Sequence, residues 1–143
     1  MADITRGSVL IAAPADRVAT VIADLPSYPQ WTDGMSNIQV LESRDGQPVR
    51  ASFSVSGGPI SDTVELAYSW TSSSLTWTLL KGSTITAMNG SYSWQSVDGG
   101  TEVTYELEIG LSIGLPGFIK RTAEKTIVST ALQGLKKRVE GLS

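Results

Sequence analysis

The hydrophobic pattern changes its period along the chain, and each change predicts an element. Residues 4–11 hold a β-branched run that reads as a first strand. Beyond Pro14, the positions Val18, Val21, Ile22 and Leu25 follow the i, i+3, i+4, i+7 rule and predict a short amphipathic helix over 14–24, with Asp16 in its first turn. Pro26 ends it, and Ser27-Tyr28-Pro29-Gln30-Trp31 reads as a turn or a single helical turn.

From Met35 the period is two. Phe53 and Val55 alternate with serines, and Val64, Leu66 and Tyr68 alternate with Thr63, Glu65 and Ala67. Leu75, Trp77 and Leu79 alternate with threonines, and Tyr105, Leu107 and Ile109 alternate with Thr104, Glu106 and Glu108. Such runs predict antiparallel strands with one buried and one wet face. Asp45-Gly46, Gly57-Gly58-Pro59, Lys81-Gly82-Ser83 and Asp98-Gly99-Gly100 mark the turns between them. Asn89-Gly90 reads as a bulge within one long strand over 84–97, because a hairpin there would leave two very short strands. On that strand Met88, Tyr92 and Trp94 share a face.

The period then returns to that of a helix. Ile119, Ala123, Ile127, Ala131, Leu135 and Val139 recur every four residues, widened by Val128, Leu132 and Leu142. This helix, at about 24 residues or roughly 36 Å, is the one element large enough to cover the apolar face of the sheet. The fold class is therefore α+β: a curved antiparallel sheet of about seven strands wrapped around a long C-terminal helix, with two short helices after strand 1. Gly134 in mid-helix signals either a close approach or a deliberate gap.

Composition narrows the chemistry. The 143 residues include no cysteine and no histidine, which excludes disulfides, thiolate nucleophiles, imidazole bases and imidazole metal ligands. The length suits one domain, 1–143, with a substantial core. No run of about 18 apolar residues is present, and no signal segment is evident, so a cytoplasmic location is expected. The net charge of −3 argues against nucleic acid as a partner. It divides unevenly, with five Lys/Arg against twelve Asp/Glu over residues 1–113 and six against two over 114–143. The basic helix leaves open a transient contact with an anionic membrane, beside plain solvation and dipole complementarity.

Two motifs carry a resemblance. Residues 9–31 contain Ile11-Ala12-Ala13-Pro14, Val18, Asp24 and Tyr28-Pro29-Gln30-Trp31, and residues 100–107 begin Gly100-Thr101-Glu102-Val103-Thr104-Tyr105. Together with the closing helix, they resemble the START-like helix-grip (SRPBCC) superfamily. The likeness is to the polyketide cyclase/dehydrase and lipid-transport branch, near the coenzyme Q-binding proteins and of actinobacterial type. The resemblance implies a deep apolar cavity between the sheet and the C-terminal helix, used for lipids, steroids, quinones or polyketides.

The expected walls are Phe53, Val55, Val64, Leu66 and Tyr68, then Trp77, Leu79, Met88 and Tyr92, then Tyr105, Leu107 and Ile109. Phe118, Thr122, Ile127 and Ala131 face them from the helix. From pattern alone the same residues equally describe a filled core, although Ala123, Ala131 and Gly134 suit a gap. No catalytic residue, metal or cofactor is expected. Glu65, Glu106 and Glu108 belong to the wet face, while Asp62 stands at a strand start where a cavity mouth could lie. The leading expectation is a carrier of an apolar lipid-like molecule. The alternatives are a cyclase or dehydratase working through a tyrosine or a carboxylate, and a module that binds another macromolecule. Glycine-bearing loops at 57–59 and 110–117 would form the route inward.

Overall fold

The computed structural model describes residues 4–57, 60–112 and 114–141; Gly58, Pro59 and Leu142, named above, lie outside them. The order is β1 (Thr5–Ile11), α1 (Ala15–Ala23), a 3-10 helix (Leu25–Gln30), β2 (Met35–Arg44), β3 (Gln47–Gly57), β4 (Ile60–Thr71), β5 (Ser74–Lys81), β6 (Ile85–Val97), β7 (Gly100–Leu111) and α2 (Gly117–Glu140). The strands form one antiparallel sheet in the order β1-β7-β6-β5-β4-β3-β2, so each hairpin from β2 to β7 pairs neighbours in sequence and only β1 returns from afar. This is the helix-grip arrangement, with two short helices following the first strand.

Local chemistry explains the elements. Pro14 stands just ahead of α1, which buries Val18, Val21 and Ile22. The 3-10 helix carries Pro26 and Pro29, and the Tyr28 hydroxyl donates to the Ile22 carbonyl at 2.6 Å, folding this segment back onto α1. Thr101, fully buried, donates to the Ala13 carbonyl at 2.8 Å and joins β7 to the β1–α1 connection.

The helix α2 packs chiefly against β1 and β7. Gly7 lets it sit close, since a Cβ there would lie 2.8 Å from Val128 Cγ1. Gly134 marks a close approach rather than a gap. A Cβ at that position would run into the Trp31 carbonyl oxygen and lie 2.9 Å from its carbon. The buried stripe of α2 comprises Val128, Ala131, Leu132, Leu135 and Val139, preceded by a carboxylate, Glu124. At its end Glu140 accepts from the Ala12 amide at 2.9 Å and from Lys136 Nζ. Because the helix lies toward the β1/β7 side, the inner faces of β3 to β6 are not covered along their whole length.

One expectation needs correction. β6 is a single long strand, but it carries no bulge at Asn89-Gly90: its pairing with β7 is unbroken from Ala87 to Val97, and the irregularity lies between Ile85 and Ala87. Gly90 has a packing role instead, as the register partner of Trp77.

Candidate functional site

The space left between sheet and helix is a cavity of about 200 Å³. Period-two alternation delivers its walls: Phe53 and Val55 from β3, Leu66 and Tyr68 from β4, Trp77 from β5, Met88 and Tyr92 from β6, and Tyr105, Leu107 and Ile109 from β7. Ile127 and Ala131 close it from α2. Twelve of the sixteen wall positions read from the sequence therefore meet around one space.

Four do not. Val64 faces inward but is sealed in the core beside its register partner Phe53, whose larger ring reaches the cavity. Leu79 lies past the point where β5 stops pairing with β6, at Trp77, and is only half-buried. Thr122 points to solvent and donates to the Phe118 carbonyl at 2.8 Å, because the buried stripe of α2 runs through Glu124 and Val128 instead. Phe118 is 70% exposed, on the second residue of the helix and outside the enclosed stretch.

The lining also includes positions the period did not select. Tyr28, Thr32, Asp33 and Gly34 come from the 3-10 helix and the segment after it, where no periodicity operates, and Met35 from the first position of β2. Ile85 joins Met88 in the wall although three residues separate them, because the strand irregularity between Ile85 and Ala87 resets the alternation. Ser56, Ile60 and Leu75 complete the sheet side, and Thr126 and Thr130 the helix side. Of these, Leu75 was within reach, since it shares parity with Trp77.

The heart of the cavity is aromatic. Trp77 lies 5.5 Å from Tyr92 and 5.7 Å from Tyr105 between ring centroids, with Tyr92 and Tyr105 4.6 Å apart and Tyr68 6.4 Å from Trp77. These are the tilted and edge-on separations that aromatic quadrupoles favour. Burial holds the phenols of Tyr28, Tyr68, Tyr92 and Tyr105 well above the ordinary tyrosine range, so all four stay neutral donors at any physiological pH. Tyr28 spends its proton on Ile22. Among the described residues, none hydrogen-bonds the hydroxyls of Tyr68, Tyr92 or Tyr105, which leaves three donors aimed into an apolar space.

Carboxylates are nearly absent from the wall. Among the described residues, exposed Asp33 is the one that contributes. Glu106 pairs with Arg6 at 2.8 Å and Glu108 accepts from Asn89 at 2.9 Å, both on the outer face of the sheet. Asp62 is a latch: it accepts from the amides of Thr63, Ser83 and Ile85 at 2.8–2.9 Å, tying the start of β4 to the β5–β6 loop. Glu124, missed in the sequence, is 98% buried. It accepts from the Ile109 amide at 2.9 Å and from the Thr5 hydroxyl at 3.2 Å, with Lys120 Nζ 3.9 Å away. It meets the edge of β7 two residues beyond Leu107, which pairs with Thr5 of β1. Among the described residues no cluster of three or more acids could hold a metal ion, and no helix is long and apolar enough to cross a membrane.

A sheet gripping a C-terminal helix around an aromatic-lined cavity defines a ligand-binding class of fold. The chain belongs to the polyketide cyclase/dehydrase and lipid transport family, whose model matches residues 2–140. Among solved structures it is similar to a START superfamily protein from Mycobacterium smegmatis, at 20% identity and a TM-score of 0.89, covering 98% of this chain and 99% of that one. A protein from Thermus thermophilus is similar at 19% identity and 0.85, covering 99% of both chains. The Zhui aromatase/cyclase from a Streptomyces species is similar at 17% identity and 0.81, covering 98% of this chain and 94% of the other. These likenesses concern the fold. No curated protein matches the sequence.

Proposed function

We propose that residues 1–143 act as one ligand-binding domain that holds a small, uncharged, largely apolar molecule in this cavity as carrier or protector. The observation that supports this most directly is the trio of unpartnered hydroxyls on Tyr68, Tyr92 and Tyr105. A ligand oxygen within reach of one of them would accept a hydrogen bond worth about 0.5–1.5 kcal/mol net, while the surrounding rings contribute about 25 cal/mol per Å² of apolar surface removed from water.

Size and charge narrow the ligand. An apolar cavity of roughly 150 Å³ accommodates benzene. The 200 Å³ here suits one or two fused rings, or a short acyl chain, carrying an oxygen acceptor. Among the described residues no Lys or Arg lines the space, so an anionic ligand would find no counter-charge there. Gly34 and Ser56 reach the cavity beside Gly57, which supports a route inward on that side. A cytoplasmic setting is part of the same proposal.

Organic extraction of the purified protein, followed by mass spectrometry, tests for a carried molecule. Titration with 1-naphthol, a neutral two-ring probe, should quench tryptophan fluorescence through Trp77, and Tyr105→Phe should weaken the binding. A protein that yields no extract and does not bind 1-naphthol would refute the reading.

A cyclase or dehydratase activity draws its support from Asp33, a carboxylate at the mouth able to move a proton, with neutral phenols to polarise a carbonyl. Under that reading Asp33→Asn abolishes turnover. Under the carrier reading it leaves 1-naphthol binding unchanged.

A further inference from the structure

Thr32 presents a hydroxyl to the cavity that the chain itself does not use. The residue lines the space from the segment after the 3-10 helix and is 8% exposed. Among the described residues none hydrogen-bonds its side chain. The oxygen is nevertheless open, unlike Trp31 Nε1 on the neighbouring residue, which is sealed without a partner. Threonines elsewhere turn back on a carbonyl: Thr20 donates to that of Asp16 at 2.9 Å, and Thr101 and Thr122 to those of Ala13 and Phe118 at 2.8 Å. For Thr32 the carbonyl four residues back is that of Tyr28, and it is taken. It accepts from the amides of Trp31 at 3.0 Å and Thr32 at 2.9 Å, which engages both lone pairs. The hydroxyl is left facing the cavity, at a wall position where valine would fill the same space.

We propose that Thr32 determines specificity, its Oγ1 holding a second oxygen of the molecule that occupies the cavity. This rests on the reading of the cavity as a ligand site and narrows it. The phenols of Tyr68, Tyr92 and Tyr105 enter from the sheet, on β4, β6 and β7, whereas Thr32 enters from another wall. A neutral molecule held between them meets polar atoms on two sides. The ligand class is therefore a compact ring system or short chain that bears two separated oxygens. A threonine hydroxyl both donates and accepts, so the second oxygen is a hydroxyl or a carbonyl. The other aliphatic hydroxyls of the lining are placed differently. Ser56 and Thr126 are exposed and Thr130 is half-buried, so bulk water reaches them, while Thr32 is the buried one among the described residues. Asp33, its neighbour, is exposed as well.

Calorimetric titration with 1-naphthol and with a set of dihydroxynaphthalenes, their two hydroxyls on different rings, provides the test. At least one diol should bind about two- to tenfold more tightly than 1-naphthol, the gain expected of one further hydrogen bond. Thr32→Val should erase that gain, and Thr32→Ser, which keeps the hydroxyl, should retain it. Without ligand, the Thr32→Val protein should unfold in urea close to the parent, because no bond within the chain is lost. Diols that gain nothing over a 1-naphthol that does bind overturn the proposal and leave the carrier reading standing, as does a gain that survives Thr32→Val. A gain lost in Asp33→Asn but kept in Thr32→Val overturns it in the same way. A clear loss of stability in unliganded Thr32→Val also overturns it, since the hydroxyl would then serve the fold. If neither 1-naphthol nor any diol binds, the carrier reading falls and the assignment of Thr32 falls with it.

Discussion

Gly90 on β6 lies directly beneath the indole of Trp77, its register partner on β5. A Cβ at Gly90 would sit 2.6 Å from Trp77 Cε2 and 2.8 Å from Nε1, closer than real carbon atoms approach. The ring that centres the aromatic cluster is thus seated on a missing side chain. Gly90→Ala should displace the indole, lower stability by about 1–3 kcal/mol through overpacking, and change the near-ultraviolet circular dichroism of the Trp77, Tyr92 and Tyr105 group. Unchanged spectra would show that the indole has room to move.

Gly134 sets two effects against each other. Alanine is the better helix former by about 1 kcal/mol. The Cβ, however, would meet the carbonyl of Trp31, which is backbone and cannot swing aside. Overpacking should win, so Gly134→Ala is expected to destabilise the fold by about 1–3 kcal/mol in urea denaturation. A gain in stability would mean that α2 can slide on the 3-10 segment.

Glu124 holds the Ile109 amide at the edge of β7. Glu124→Ala would strand the buried Ile109 amide, at a cost of about 1–3 kcal/mol, and free the half-buried Thr5 hydroxyl to water. Glu124→Gln keeps an acceptor oxygen and should lose markedly less. Paired denaturation curves and the exchange rate of the Ile109 amide would separate the two substitutions.

Stability should fall at both ends of the pH scale, for different reasons. At Asp62 desolvation, the largest single effect, opposes ionisation. The amides of Ile85, Ser83, Thr63 and Thr84 outweigh it and hold the carboxyl below its ordinary 3.8. Its contribution is therefore present above about pH 4 and is lost as pH falls further, and Asp62→Asn should flatten the acid limb of a stability profile. The buried phenols shift the other way. Unfolded tyrosines ionise near 10.0 while the folded ones remain neutral, so stability declines as pH rises past 10. Alkaline unfolding should release tyrosinate absorbance in one cooperative step.

The fold was legible because antiparallel strands and a covering helix print their periods on the chain. Phe53, Tyr68, Tyr92 and Tyr105 reach the cavity for the parity that the sequence displays. The period failed where geometry departs from it. The irregularity between Ile85 and Ala87 brings Ile85 to the wall against parity, and the aperiodic segment after α1 contributes Tyr28 and Asp33. At Phe118 the helical stripe extended beyond the stretch that the sheet encloses, so an apolar residue read as lining is in fact outside. Glu124 left no trace because its role depends on contacts with Ile109 and with Thr5, the latter more than a hundred positions away.

The strand order has a consequence for how the chain reaches this structure. From β2 to β7 every pairing closes a short loop, so the meander can zip from hairpin to hairpin. β1 must instead find β7 across the length of the protein: Arg6 and its partner Glu106 are 100 residues apart. Closing so long a loop costs more chain entropy than any single hairpin does, and non-local pairing of this kind slows folding. The seam between β1 and β7 is also the bed on which α2 rests. The meander is therefore expected to assemble first, with the N-terminal strand and the C-terminal helix joining it together as the last event.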